Sequence, residues 1–400
     1  MASSEVFYNP LMPEFHANPY PFYRRLREED PVHASPLGIW VLTRYDDAVM
    51  VLRDPRFGRE GIAELAEARL GAARARPTNT RDMLFRDPPD HTRLRSLVSR
   101  AFTPRSVEAM RPHIQEIVDG LLDRREGARG MDVIEDLAYP LPVRVICEML
   151  GVPIADQEIF RQWSADIARS LDAALLPAGS DVVTRGQESS DALKEYFRSL
   201  IALRRKDPQP DLLSALIAAE EQGDKLSEAE LLSTCALLLI AGHETTVNLI
   251  GNGLLALLQH PDQLRALADD PALIQTGVEE LLRYDGPVQR TSRMTMADVE
   301  IGGKQIPKGR VVVAAIGAAN RDPAYFSDPE RLDITRKENR HIAFGFGIHF
   351  CLGAPLARIE GQVAIGTLLR RMPALKLVSD KPEWRESSVL RGLKTLPVTF

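Results

Sequence analysis

The stretch LLLIAGHETTVNLIG, Leu237 to Gly251, sets Gly, His, Glu, Thr and Thr in a row inside a long apolar run. Glycine and β-branched threonine weaken a helix, and a glutamate buried there without a partner is costly. The run still reads as one helix. Ser227, with Glu230 three residues on, makes a capping box at its start, and Pro261 stops it after His260. About 33 residues at ~1.5 Å each give a rod of roughly 50 Å, enough to cross a domain through its core. Gly242 to Thr246 fall at its midpoint and are expected deep inside. Two readings fit them. One is a kinked helix whose threonine hydroxyls bond back to carbonyls a turn earlier. The other is a proton-handling pair, Glu244 and Thr245, facing a buried cavity.

Outward from this helix, the chain from about 89 to 259 is mostly helical, as in VEAMRPHIQEIVDGLLDRR, with apolar residues at helical spacing. PVHASPLGIWVLTRY predicts a hairpin around Pro36-Leu37-Gly38. VEIGGKQIPKGRVVVAAI predicts strands with a Gly302-Gly303 turn. One further helix is expected from about Ala354 to Arg371, and LKLVSD and LKTLPVTF again look like strands. The fold class is therefore mainly α with small β-sheets (α+β). No Gly/Ser/Pro-rich linker divides the chain, so 1–400 is expected to form a single domain.

With 400 residues, a net charge of -6 and 44% hydrophobic residues, the composition is that of a soluble, mildly acidic globular protein. The acidity argues against a general nucleic-acid binder. MASSEVFYNPLMPEF has no secretory pattern, and no apolar stretch is long enough for a membrane anchor. Cys147, Cys235 and Cys351 cannot make a disulfide framework. A cytoplasmic location is expected.

HIAFGFGIHFCLGAPLARIEGQ places Cys351 in a glycine-rich loop just before a helix. Gly345, Gly347 and Gly353 let the backbone curl so that N–H groups converge, which predicts a stabilised thiolate. Cys147 and Cys235, in apolar helical contexts, fit inert buried residues. For Cys351 two chemistries stay open on this reading: a nucleophile served by a histidine, or a thiolate ligand to haem iron.

FGFGIHFCLG, together with AGHET, the Glu280/Arg283 pair of EELLR, and DPPDHTRLR, resembles the soluble bacterial members of the cytochrome P450 superfamily, and the order and spacing of the four along the chain (DPPDHTRLR, AGHET, EELLR, FGFGIHFCLG) agree with it. The resemblance runs from about Asn18 to the end. It implies the P450 fold, with the long central helix crossing over the haem. It implies heme b with Cys351 as the thiolate axial ligand to iron, Gly242 leaving room for dioxygen, and Glu244 and Thr245 handling protons. It implies His91, Arg95, Arg293 and His349 as partners of the haem propionates, and Glu280, Arg283 and Arg331 as a buried structural triad. Met83, Leu84, Ala241, Val288 and Leu390 become candidate substrate contacts, with the segments from about Arg59 to Arg86 and Leu171 to Gln187 as the entrance. His243 and Thr246 are read as structural.

The implied activity is that of an oxidoreductase, a monooxygenase inserting one oxygen atom of O₂ into an apolar small molecule. No Walker loop or Gly-x-Gly-x-x-Gly signature is present. Electrons are expected from NAD(P)H through a separate reductase and a ferredoxin or flavodoxin. The basic residues around the cysteine side (Arg93, Arg95, Arg100, Arg105, Arg111, Arg336, Lys337, Arg340, Arg358) suggest the docking face. A peroxygenase using hydrogen peroxide and a non-catalytic haem sensor are the alternatives.

Overall fold

The structure, a computed structural model, describes all residues except 1–6, 63, 66–81, 173–174, 177–179 and 222–225; side chains at 219–221 are likewise outside it. Among the described residues, the central helix runs from Glu228 to Gln259. Its start is the capping box: Ser227 Oγ accepts from Glu230 N–H at 3.3 Å and Glu230 accepts from Ser227 N–H at 2.8 Å. Arg93 adds a 2.5 Å ion pair to Glu230. Most of this helix is buried, so packing rather than propensity holds it through the Gly-His-Glu-Thr-Thr break.

The helices Pro140–Met149, Ile274–Asp285 and Ala354–Arg371 pack against it. One apolar cluster joins them, and its members run from Met83 to Val398. At Gly242 an added Cβ would lie 2.8 Å from Ile146. The glycine thus permits close approach of Pro140–Met149, a packing reason distinct from room for dioxygen.

The strands form three small sheets. The largest runs, in spatial order, Val32–Ser35, Ile39–Leu42, Val311–Ala314, Thr291–Thr295, Phe57–Gly58. Ile39–Leu42 pairs parallel with Val311–Ala314 (Ile39 opposite Val311), and the other pairs are antiparallel. This order carries Thr291–Thr295 from the end of Ile274–Asp285 across to the wall of the site. A second sheet joins Gly130–Asp132, Pro397–Thr399 and Lys376–Leu377, and Val299–Ile301 pairs with Lys304–Ile306 over the expected turn. Among the described residues, no helix is long and apolar enough to cross a membrane.

Candidate active site

A cavity of about 290 Å³ lies where the cysteine loop, the central helix, the Asp90–Ser99 helix and the Thr291–Thr295 strand meet. Cys351 turns its sulfur to it. Gly345 and Gly347 have φ of 73° and 72°; at Gly347 a Cβ would also sit 2.5 Å from the Leu52 carbonyl, so a side chain fits neither the backbone nor the space. Cys351 N–H donates to Phe344 O at 2.9 Å, and Arg95 Nη2 donates to Phe350 O at 2.6 Å. Arg358 grips Glu279 through Nε (2.6 Å) and Nη2 (2.8 Å), and His341 Nε2 lies 3.1 Å from the same carboxylate. Although burial opposes it, these partners hold the Glu279 carboxyl down to about 2.

Burial pushes the Cys351 thiol above its ordinary value, against the pull of the Gly353 and Ala354 N–H groups, Arg95 and Arg358. The loop's N–H groups and arginines pull towards the thiolate against burial; a coordinated cation would add to that pull, since a coordinating thiol is deprotonated outright.

On the central helix, Ala241, Gly242, Thr245 and Thr246 line the cavity, as helical spacing requires of one face. Thr245 Oγ1 donates to Ala241 O at 3.2 Å, the back-bond of the kinked-helix reading. His243 and Glu244 fall on another face. His243 Nδ1 lies 2.7 Å from Leu239 O. Glu244 accepts from Arg385 Nη1 at 2.9 Å, with His243 Nε2 3.6 Å away. Although burial works to raise it, His243 and Arg385 hold the Glu244 carboxyl below its ordinary value. Glu244 is therefore ion-paired outside the cavity wall, whereas Thr245 is part of that wall.

His91, Arg95, Arg293 and His349 all line the cavity. The His91 and His349 rings lie 4.2 Å apart. Burial, then Arg293 and His91, push His349 down to about 2, and burial, then Arg95, lowers His91. Both shifts disfavour the charged imidazolium. His91 Nδ1 and His349 Nε2 are buried with no hydrogen-bond partner, and burial pushes the Arg293 guanidinium down to about 9. Unpartnered ring nitrogens and buried cations facing one cavity are matched by a ligand carrying carboxylates. The residues present fit haem: two propionates for this corner and one thiolate for the iron.

Met83, Leu84, Ala241 and Val288 line the cavity; Leu390 does not, and pairs with Val288 in an isolated antiparallel β-bridge. Of the expected entrance segments, 63, 66–81, 173–174 and 177–179 lie outside the described residues.

The buried triad is corrected. Arg283 donates to Glu280 through Nε and Nη2, both at 2.8 Å, and both side chains are fully buried. The second cation on Glu280 is Arg336, at 3.1 Å. Arg331 is exposed and contributes only its backbone carbonyl, which accepts from Arg283 at 3.0 Å. DPERLDITRKENR offers both arginines, and only the tertiary turn of that loop selects between them.

The docking set also shrinks. Arg93 is paired with Glu230 and Asp90, Arg111 with Glu108, Arg336 with Glu280 and Arg358 with Glu279.

Two further residues of the cavity wall escaped the sequence reading. Glu360 stands beside Thr246, and burial pushes its carboxyl up to about 8 against the Thr246 hydroxyl. Neither of its oxygens reaches a hydrogen-bond partner at normal geometry. Its signal was legible: a lone acid on the apolar face of Ala354–Arg371, between Leu356 and Val363. Thr246 accordingly belongs to the cavity and is not merely structural. Arg59, which also lines the cavity, had no local signal.

The family model "Cytochrome P450" matches residues 32–397. Cytochrome P450 107B1 of Saccharopolyspora erythraea is 48% identical over 94% of this chain and 93% of its own length. A myxobacterial P450, CYP267B1, solved with myristic acid, superimposes with a TM-score of 0.90 at 46% identity, covering 98% of each chain. P450BioI, solved with an acyl carrier protein bearing hexadec-9Z-enoic acid, gives 0.89 at 44% identity, covering 97% of this chain and 99% of that one.

Proposed function

The chain belongs to the cytochrome P450 family and is a monooxygenase of small organic molecules; from that premise we propose the roles of its residues, its substrate type and its electron supply. The observation that carries the reading is one cavity presenting the Cys351 sulfur, the Thr245 hydroxyl and the His91/Arg95/Arg293/His349 corner together. Bound haem supplies the iron at which dioxygen is activated. Cys351 ligates it through a thiolate, held in line by the Phe344 carbonyl and by Arg95 on Phe350 O. The four basic residues hold the propionates.

Thr245 gives a hydroxyl that can exchange its Ala241 acceptor for a partner inside the cavity. Glu244, buried beside Arg385, which is itself about one-third exposed, relays protons inward by taking one up transiently and releasing it. Glu360 beside Thr246 is a second proton store, poised near neutrality. The substrate end of the wall (Met83, Leu84, Leu237, Ala241, Val288) is apolar, which supports an apolar organic substrate; the fatty chain bound by the myxobacterial relative suits a wall of this kind. The continuous core from Met83 to Val398 supports one domain.

Electrons come from NAD(P)H through a reductase and a small acidic ferredoxin or flavodoxin. Arg100, Arg105, Lys337 and Arg340, exposed in segments joined to the cysteine loop, support that docking.

The carbon-monoxide complex of the reduced protein tests the central assignment. Wild type, Cys147→Ala and Cys235→Ala should show the red-shifted Soret band of thiolate ligation, and Cys351→His should lose it. Retention of that band in Cys351→Ser would remove Cys351 as the ligand.

A further inference from the structure

We infer that Arg59 is a positioning residue for the haem carboxylate that Arg293 holds, and that it ties the grip on the cofactor to the wall of the substrate pocket. The inference rests on the haem reading above. Arg59 Nη1 donates to Thr291 Oγ1 at 3.1 Å and to Ser292 O at 2.9 Å. Arg293 Nη1 donates to the same two oxygens at 3.3 and 2.9 Å. Two guanidiniums that share both acceptors are held side by side, and both are buried, at 6% and 4% exposure.

Like charges at this spacing repel, and burial removes the water that would screen them. Asp82 and Asp87 act on Arg59 through space, not by contact: Asp82 Oδ1 accepts from the Leu84 N–H (2.8 Å), and the Asp87 oxygens accept from the backbone N–H groups of Arg59 (2.9 Å each) and Glu60 (3.0 Å). Among the described residues no carboxylate forms an ion pair with either guanidinium. That corner of the cavity demands an anion, and a carboxylate laid against both arginines satisfies it with charge-assisted bonds. Burial pushes Arg59 down to about 10, and Arg59 in turn helps lower Arg293.

The same side chain reaches the other way. Arg59 Nε donates to Leu84 O at 2.8 Å, and its guanidinium lies 5.0 Å from the Phe85 ring centre. Leu84 and Met83 form the apolar end of the cavity. One arginine therefore joins the segment before Asp90 to the propionate corner, so the cofactor and the substrate wall share a support.

The test uses purified holoenzyme and two readouts: the rate of haem transfer to apomyoglobin and the reduction potential. The proteins are wild type, Arg59→Gln, Arg59→Lys and the exposed control Arg265→Gln. Arg59→Gln is expected to lose haem about ten-fold faster, the size of one charge-assisted hydrogen bond, with a lowered potential because a nearby positive charge is gone. Arg59→Lys should keep a wild-type potential while losing haem faster than wild type, since charge remains and the fork geometry does not. Arg265→Gln should match wild type. Haem loss at the wild-type rate in both Arg59 variants overturns the inference, as does an Arg59→Lys potential as low as that of Arg59→Gln. If Arg59→Gln does not load haem, the lysine variant decides alone by the same two readouts. A wild-type protein lacking the thiolate-type carbon-monoxide spectrum would overturn the haem reading instead, a separate result.

Discussion

Thr245 and Glu360 show how single side chains are set by what surrounds them. Among the described residues the Thr245 hydroxyl has the Ala241 carbonyl as its acceptor, so its proton can be redirected at the cost of one weak back-bond. Thr245→Ala should leave haem loading and substrate affinity unchanged and uncouple the reaction, with NAD(P)H consumed, peroxide released and product lowered several-fold. Product and peroxide counted against NAD(P)H check this, and unchanged coupling would return the threonine to a purely structural role. Glu360 makes a prediction about stability. Its folded pKa, about 8, lies above its ordinary 4.5. The folded state binds the proton more tightly, so stability is lost as pH rises between those values. At about 1.4 kcal/mol per unit the loss is on the order of a few kcal/mol. Glu360→Gln should flatten the fall in Tm of the holoenzyme from acid to mildly alkaline pH, and a variant with the wild-type slope would remove Glu360 as its source.

At the scale of elements, the loop from Asn320 to Asn339 is anchored on one helix by Glu280 and Arg283. Arg283 spans Asn320 O, Pro329 O and Arg331 O at 2.8–3.0 Å, and Asn339 Nδ2 reaches Glu280 at 3.1 Å. This buried cluster holds the approach to the cysteine loop from the Ile274–Asp285 helix. Removing one member strands a buried charge. Arg336→Ala should cost about 3–5 kcal/mol, whereas Arg331→Ala, with an exposed side chain, should stay within about 0.5 kcal/mol. Denaturant midpoints of the two variants decide it; equal losses would restore Arg331 to the triad. The elements themselves were readable because each carries a local signature. The Ser227/Glu230 box, the stop at Pro261 and the Gly302-Gly303 turn need no distant partner. The choice between Arg331 and Arg336 depends on a fold-back that local spacing does not encode.

Across the whole molecule, positive charge near the cysteine loop is smaller than a count of arginines suggests, because many of them brace the fold. Arg358 is the clearest case: it is spent on Glu279 and on the Phe344 ring. The exposed Arg100, Arg105, Lys337 and Arg340 remain for a partner. Steering by such a set raises association rates and weakens with salt. Arg105→Glu should slow ferredoxin-driven haem reduction and reduce its salt dependence, with substrate affinity unchanged. Arg358→Glu should instead destabilise the protein, because it breaks a bidentate pair. Stopped-flow reduction under carbon monoxide across a salt series measures the first effect, and a flat salt response in wild type would remove the docking set.

What sequence alone determined here is what short-range physics encodes: the long capped helix with a polar break, the glycine loop around Cys351, the hairpins, and the residue types that bring a carboxylate-bearing cofactor to mind. Tertiary structure decided what depends on distant chain segments meeting. It turned Glu244 onto Arg385 and away from the cavity, set Glu360 beside Thr246, chose Arg336 over Arg331, and laid Arg59 against Arg293. Helical periodicity tells which residues share a face, but not which face meets the cavity. That follows only when the helix is packed, since desolvation and the position of each opposite charge are properties of the assembled core.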